Sequence, residues 1–226
     1  AYHVGDDPEA VAENRRRFCE ALGIDINSLV TAQQIHGDEI AIVDETHAGR
    51  GSHSHNSAIP HTDAMITGSP SAALAVLTAD CVPVLIFDPV RKAIGIAHAG
   101  WRGTLLRIAA KTVLKMKDAF GTKPADCLVA LGPSIGSCCY KVEEDVISEF
   151  QRTFSAVVAS ENRLDLQKAV RIQLAEVGIQ ERTISSEKLC TACNLDLLYS
   201  HRAENGRTGR MMSVIRLDFT QNTVQR

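Results

Sequence analysis

Three short stretches hold side chains able to do more than fill a core. They are Gln33-Gln34-Ile35-His36-Gly37, Thr78-Ala79-Asp80-Cys81-Val82-Pro83 and Ala97-His98-Ala99-Gly100-Trp101-Arg102-Gly103. His36, Cys81 and His98 offer two imidazoles and one thiolate, a donor set that suits zinc at about 2.0–2.1 Å for nitrogen and about 2.3 Å for sulfur. Three protein ligands leave a fourth tetrahedral position for water or substrate, the arrangement of a catalytic rather than a structural site. A cation would also keep Cys81 as thiolate beside Asp80 by offsetting the repulsion of the carboxylate. The three residues are 45 and 17 positions apart, so the fold has to bring them together. Two other readings use the same residues. Cys81 and His98 could be a nucleophile and its general base without metal, or all three could be core residues. Glycines beside His36 and His98 favour a ligand, because they let backbone come close to one.

Anion chemistry has its own candidates. The turn Ala99-Gly100-Trp101-Arg102-Gly103-Thr104 runs into a helix start, where free N–H groups favour phosphate or carboxylate. Farther on, Ser200-His201-Arg202-Ala203-Glu204-Asn205-Gly206-Arg207-Thr208-Gly209-Arg210 sets three arginines around two glycines. That composition also suits a solvated loop. Arg102, Arg202 and Arg210 are the side chains to hold a charged substrate by forked hydrogen bonds. Asp80 is placed either to move protons or to orient a ligand. The turn-rich stretch Leu131–Tyr140 could line a pocket with backbone amides.

Seven cysteines, at 19, 81, 127, 138, 139, 190 and 193, make an odd set without framework spacing, and no export signal is visible, so a reducing cytoplasmic setting is expected. Cys190-Thr191-Ala192-Cys193 has C-x-x-C spacing, but no second pair follows, so neither a four-ligand zinc nor a thioredoxin-like role is expected there. The segment 47–61 carries four of the eight histidines without periodicity and reads as a mobile surface loop.

The elements that must position these residues are legible as periodicity. Asp7 and Pro8 open a helix to about Leu22 with Val11, Phe18 and Leu22 inward. Buried strands are expected at Glu39–Val43, Ala64–Thr67, Ala73–Thr78, Val82–Phe87, Ala93–His98 and Cys127–Leu131, then Thr183–Ile184 and Met211–Arg216. A helix capped by Thr104 is expected to run to Phe120, with others at Glu143–Phe150 and Arg163–Val177. Strands outnumber helices, which predicts an α+β sandwich of sheets with helices outside.

Composition closes off other classes. The chain has 226 residues, 45% hydrophobic and 23% charged, with a net charge of −3, which leaves no basic surface for nucleic acid. The apolar region from Ala64 to Phe87 is broken by Gly68, Pro70, Asp80 and Pro83, so no membrane span is expected.

Taken in order, Gln34-x-His36-Gly37, Asp63-Ala64-x-x-Thr67, Thr78-Ala79-Asp80-Cys81-x-Pro83, Ala97-His98-Ala99-Gly100-Trp101-Arg102-Gly103, Gly132-Pro133-x-Ile135-Gly136-x-Cys138-Cys139-Tyr140 and Thr208-Gly209-Arg210, with His3-Val4-Gly5-Asp6-Asp7, resemble the polyphenol oxidase/laccase-domain family, viewed as purine nucleoside phosphorylases that also deaminate adenosine. The resemblance implies one α+β domain over 1–226, of mixed sheets flanked by helices, like the cytotoxic-deamidase-toxin-type cysteine hydrolase fold. It implies one zinc on His36, Cys81 and His98, with copper as the second candidate metal. Purine nucleoside and phosphate are the implied partners, with Gln34 added to the three arginines as a contact. Adenosine, inosine, guanosine or methylthioadenosine would be phosphorolysed and adenosine deaminated at one site. Some relatives are linked instead to amidase editing of a peptidoglycan precursor, which the metal-free Cys–His reading would serve. A multicopper site fits poorly, since the one His-x-His pair, His53-x-His55, lies in the histidine-rich loop. The family usually has a Gly-Gly-Val-Ser-type segment ahead of Val-Gly-Asp-Asp, absent from this stretch. Where relatives often read Tyr-Arg-Arg, this chain has Ser200-His201-Arg202, one arginine fewer. Oligomeric state is left open.

Overall fold

The computed structural model describes residues 1–218. The chain runs α1 (Pro8–Ala21), β1 (Leu29–Val30), β2 (Ile40–Ile42), β3 (Ala64–Thr67), β4 (Ala73–Thr78), β5 (Val82–Asp88), β6 (Ala93–Ala99), α2 (Trp101–Leu105), α3 (Ile108–Phe120), β7 (Leu128–Leu131), α4 (Glu144–Phe154), β8 (Ala159–Ser160), β9 (Arg163–Leu164), α5 (Leu166–Glu176), β10 (Ile184–Ser186) and β11 (Met211–Arg216), joined by turns and single 3-10 turns. Among the described residues, six strands form a mixed sheet in the order β10-β7-β5-β6-β3-β2, and three form a second in the order β1-β4-β11. β8 and β9 make a small separate hairpin.

Strand alternation builds two cores from one sheet. In β6, Ala93, Ala97 and Ala99 face a layer that includes Ile108, Val113 and Met116 of α3. Ile94 and Ile96 point the other way, against Leu74 and Val76 of β4. Cys19 of α1 packs with Ala73 and Ala75 on the outer face of the smaller sheet. The result is an α+β sandwich with helices outside both sheets, as expected. Each fully buried Ile or Leu in these layers contributes about 1.5–3 kcal/mol. Such strands, covered on both faces, are continuous apolar runs in the sequence.

Several local expectations are corrected. The helix to Phe120 does not begin at Thr104. It is split, because Arg107 takes a left-handed conformation at φ 66° between α2 and α3. Arg107 pairs with Glu176 and lies over the Phe154 ring, which holds the break. Thr104 is buried, and its hydroxyl caps nothing. The helix expected from Arg163 begins at Leu166 behind an Asp165 cap, while Arg163 and Leu164 pair with β8. In α1 the buried face is Val11, Arg15 and Cys19, and Leu22 is exposed. The 47–61 segment is not a free loop: Ser52, Ala58 and Ile59 are buried, and Arg15 donates to the carbonyls of Gly51 and Ser52.

Candidate metal centre

The alternation that fills the core also places the site. His98 has the parity of Ile94 and Ile96, so it points between the two sheets at the end of β6, opposite Pro83 in the register. Cys81 stands in the sharp link from β4 to β5, one residue after Asp80, which has φ 87°. His36 lies in the loop before β2 and also takes a left-handed φ of 62°. Non-glycine residues held there carry strain that the surroundings must stabilise, a pattern common at functional sites. The ligand atoms of His36, Cys81 and His98 all lie within 4.8 Å of one another. Burial is graded from His98 in the core, through a partly exposed Cys81, to an exposed His36. The two imidazoles meet edge to face, with centroids 4.7 Å apart.

One carboxylate organises the pair of histidines. Buried Asp63 accepts the backbone N–H groups of Ile35 (3.0 Å), His36 (3.0 Å) and Gly37 (2.8 Å). It also accepts from Nδ1 of His98 at 2.8 Å. That bond fixes the tautomer and leaves Nε2 of His98 for Cys81 or a metal, the carboxylate–histidine arrangement typical of metal sites. Sequence reading placed Asp63 in a family motif but gave it no site role. The charges reinforce each other. Burial opposes a Cys81 thiolate, yet His98 and hydrogen bonds from His36 and His98 outweigh it and hold the thiol down to about 6. Burial likewise opposes charge on His98, and the Cys81 thiolate and Asp63 raise it to about 9.

Gly100 leaves the room the ligands use. A Cβ there would stand 2.9 Å from Cδ2 of His36 and 3.0 Å from Sγ of Cys81. Gly100→Ala is expected to displace both ligands and lower kcat/KM about 10²-fold, the cost of roughly 1 Å of misplacement. Steady-state kinetics with zinc titration against a competing chelator checks this; unchanged kinetics and affinity would show the contact to be idle.

The cleft over these ligands holds about 390 Å³, within the range of small-molecule sites. Arg202 and Arg210 line it, and so do His3, Trp101 and Tyr140. The Arg202 guanidinium lies over the Tyr140 ring at 5.2 Å. Arg210 donates to the carbonyls of Thr208 and Gly209, folding its own loop. Arg102 is not brought in: it is exposed and stacks on Trp101 at 5.0 Å. Gln34 reaches the cleft, but its amide both donates to and accepts from the backbone of Leu77, at 2.8 Å each. Asp80 lines the cleft with both oxygens engaged. Thr191 and Ser200 hydroxyls donate to Oδ1 and the Arg202 N–H to Oδ2, so the carboxylate ties down the arginine loop. Partial burial and the nearby His55 and Arg210 hold His3 down to about 4.

A second cluster was missed by sequence reading. Cys138, Cys139, Cys190 and Cys193 bring four Sγ atoms within 4.8 Å of one another. The partner pair for Cys190-x-x-Cys193 precedes it, and the separation hid it.

The fold is thus a mixed-sheet α+β sandwich with a candidate His-Cys-His metal site at the end of β6. Residues 1–218 match the family described as Multi-copper polyphenol oxidoreductase laccase, and the chain belongs to that family. It is 36% identical over 221 residues to purine nucleoside phosphorylase YlmD of Geobacillus stearothermophilus, covering 94% of this chain and 81% of that protein. It is 34% identical over 219 residues to purine nucleoside phosphorylase LACC1 of Homo sapiens, covering 92% of this chain and 48% of that protein. The crystal structure of YlmD from Geobacillus stearothermophilus superimposes with a TM-score of 0.92 at 36% identity, over 96% of this chain and 83% of that one. A Bacillus licheniformis hypothetical protein, YfiH, gives 0.90 at 38%, over 96% and 85%. Among the described residues no helix is long and apolar enough to cross a membrane.

Proposed function

We propose that the chain is a zinc-dependent purine nucleoside phosphorylase that also deaminates adenosine hydrolytically. The observation that carries it is the meeting of His36, Cys81 and His98 under a cleft with two arginines, in a chain similar to proteins named purine nucleoside phosphorylase. The donor set fits zinc. Two imidazoles and a thiol held down to about 6 converge, His98 has its tautomer fixed by Asp63, and three ligands leave one position open. Multicopper chemistry lacks its ligands among the described residues, where the groups able to hold a metal omit His53 and His55. Zinc held by His36, Cys81 and His98 would supply Lewis acidity to the reaction.

The remaining work falls to side chains. In phosphorolysis a phosphate oxygen bonds to C1′ as the bond from C1′ to the purine nitrogen breaks, giving free base and ribose 1-phosphate. Arg202 and Arg210 bind the phosphate dianion and hold it against C1′ as positive charge grows on the sugar. Trp101 offers an apolar wall for the base. Asp80 is a positioning residue in this reading, because three donors already occupy its oxygens and one of them is the Arg202 N–H. Arg102 and Gln34 take no direct part in it. Deamination exchanges the C6 amino group of adenosine for a water oxygen and releases ammonia.

A second reading, a metal-free hydrolase with Cys81 as nucleophile and His98 as base, draws on the same depressed thiol. One assay separates the two. Zinc-loaded protein is incubated with adenosine, with and without phosphate. Adenine and ribose 1-phosphate are expected only with phosphate, inosine in both, and all of them are lost after chelation. Absence of all three products from zinc-loaded protein, or activity that survives chelation, overturns the proposal.

A further inference from the structure

We propose that Cys138, Cys139, Cys190 and Cys193 bind a second zinc ion, a structural one, which fastens the segment carrying the cleft's arginine loop to the turn after β7. The inference stands on geometry away from the His-Cys-His centre and holds whatever reaction that centre performs.

The sulfurs lie close enough together for one ion to reach all four. A zinc with four thiolates at about 2.3 Å places its sulfurs about 3.8 Å apart. Here Sγ of Cys193 lies 3.8 Å from that of Cys138 and 3.3 Å from that of Cys139, and all four sulfurs fall within 4.8 Å. Disulfide bonding would draw sulfurs to about 2.05 Å in pairs. The arrangement instead gathers all four around one point, and every cysteine is free. Four thiolates close the coordination sphere, which marks a structural rather than a catalytic site.

The backbone is shaped for such an ion. Cys138 and Cys139 sit in a tight turn in which the N–H groups of Cys139 and Tyr140 both reach the Gly136 carbonyl at 2.9 Å. The Gly136 N–H donates to Sγ of Cys190 at 3.2 Å, a bond that favours sulfur as thiolate. A Cβ on Gly136 would stand 3.2 Å from Sγ of Cys138 and 3.3 Å from Cβ of Cys190, so a larger residue would push the two halves apart. On the other side, the Cys193 N–H and the Asn194 side chain both donate to the Cys190 carbonyl, closing a second turn. An isolated bridge between Ser134 and Cys190 lays the two turns side by side.

The place of the cluster gives it work. Thr191, between two of the cysteines, donates to Asp80, the residue before Cys81. Tyr140, directly after Cys139, lies beneath Arg202. A cation here therefore fixes two walls of the cleft relative to the first metal centre without touching substrate.

The experiment is zinc content per chain on protein purified under reducing conditions, for wild type, Cys81→Ser and Cys193→Ser. Two zinc ions are expected in wild type and one in each variant. Cobalt loading of Cys81→Ser supplies a readout that leaves the cluster unaltered: the intense charge-transfer spectrum of tetrahedral all-thiolate cobalt is expected. That arm decides the matter even where Cys193→Ser fails to fold. A single zinc in wild type that Cys81→Ser removes would overturn the inference. So would a cobalt spectrum without thiolate character in Cys81→Ser, or a disulfide among the four cysteines in protein kept from oxidant. Loss of nucleoside turnover with two zinc ions still bound would count against the proposed reaction and leave this site standing.

Discussion

Cys81→Ser is expected to lower kcat/KM for phosphorolysis of adenosine about 10³-fold or more. In the proposed zinc site Cys81 is the one anionic ligand of the three, and a serine hydroxyl stays protonated where the thiol is held down to about 6. Losing the cation removes several kcal/mol of charge stabilisation in the transition state, and each 1.36 kcal/mol is a factor of ten in rate. Serine keeps the size and leaves Asp80 its three donors, so the variant should still fold, with a melting temperature below that of metal-free wild type because the Cys81–His98 pairing is lost. Chromatographic assay of adenine release, beside a thermal melt, checks both halves. A fall of less than tenfold would remove Cys81 from the chemistry.

Asp63→Ala should have the largest effect on the architecture of the site. The carboxylate serves three part-buried backbone N–H groups and the buried Nδ1 of His98. Each buried donor left without a partner costs about 1–3 kcal/mol. The costs share one cavity that water can partly fill, so a total destabilisation of about 3–5 kcal/mol is expected. Zinc affinity should fall about 10–100-fold, as when an outer partner of a ligating histidine is lost. Burial works against the Asp63 charge, and His98 with the Gly37 and Ile35 amides outweighs it, so the carboxyl titrates below its ordinary range. A group depressed on folding contributes stability that is complete above its unfolded value, near pH 4, and lost as pH falls through the folded value. The gap between wild type and Asp63→Ala should therefore narrow on acidification below about pH 4. Urea unfolding of metal-free proteins across pH measures it; a gap under about 1 kcal/mol at pH 7 would show Asp63 to be dispensable.

Much of this was legible in the chain because the sandwich writes itself in apolar runs. Ala73–Thr78 and Ala93–Ala99 are buried along their whole length, so each appears as a mainly apolar stretch without charged residues. His36, Cys81 and His98, which the fold brings together, could be picked out because each stands at a strand end or in a glycine-flanked loop where core packing does not require it. What stayed hidden depends on long-range contact. The left-handed turn at Arg107 has no marker of its own and is held by Glu176 and Phe154 from distant helices. Asp63 is one acidic residue among many until Ile35, His36 and Gly37 curl around it. The four-cysteine cluster joins pairs on opposite sides of α4 and α5 in the sequence, a separation no local ligand spacing encodes. Arg102 looked equal to Arg202 and Arg210, and only the stacking of Arg102 on Trp101 takes it out of the cleft.

The most direct measurement is anomalous X-ray scattering at the zinc edge from crystals of the zinc-loaded protein. A peak about 2.3 Å from Sγ of Cys81 and about 2.0–2.1 Å from one nitrogen each of His36 and His98 is the predicted result. No peak there, in protein that still turns adenosine into adenine with phosphate, would contradict the account.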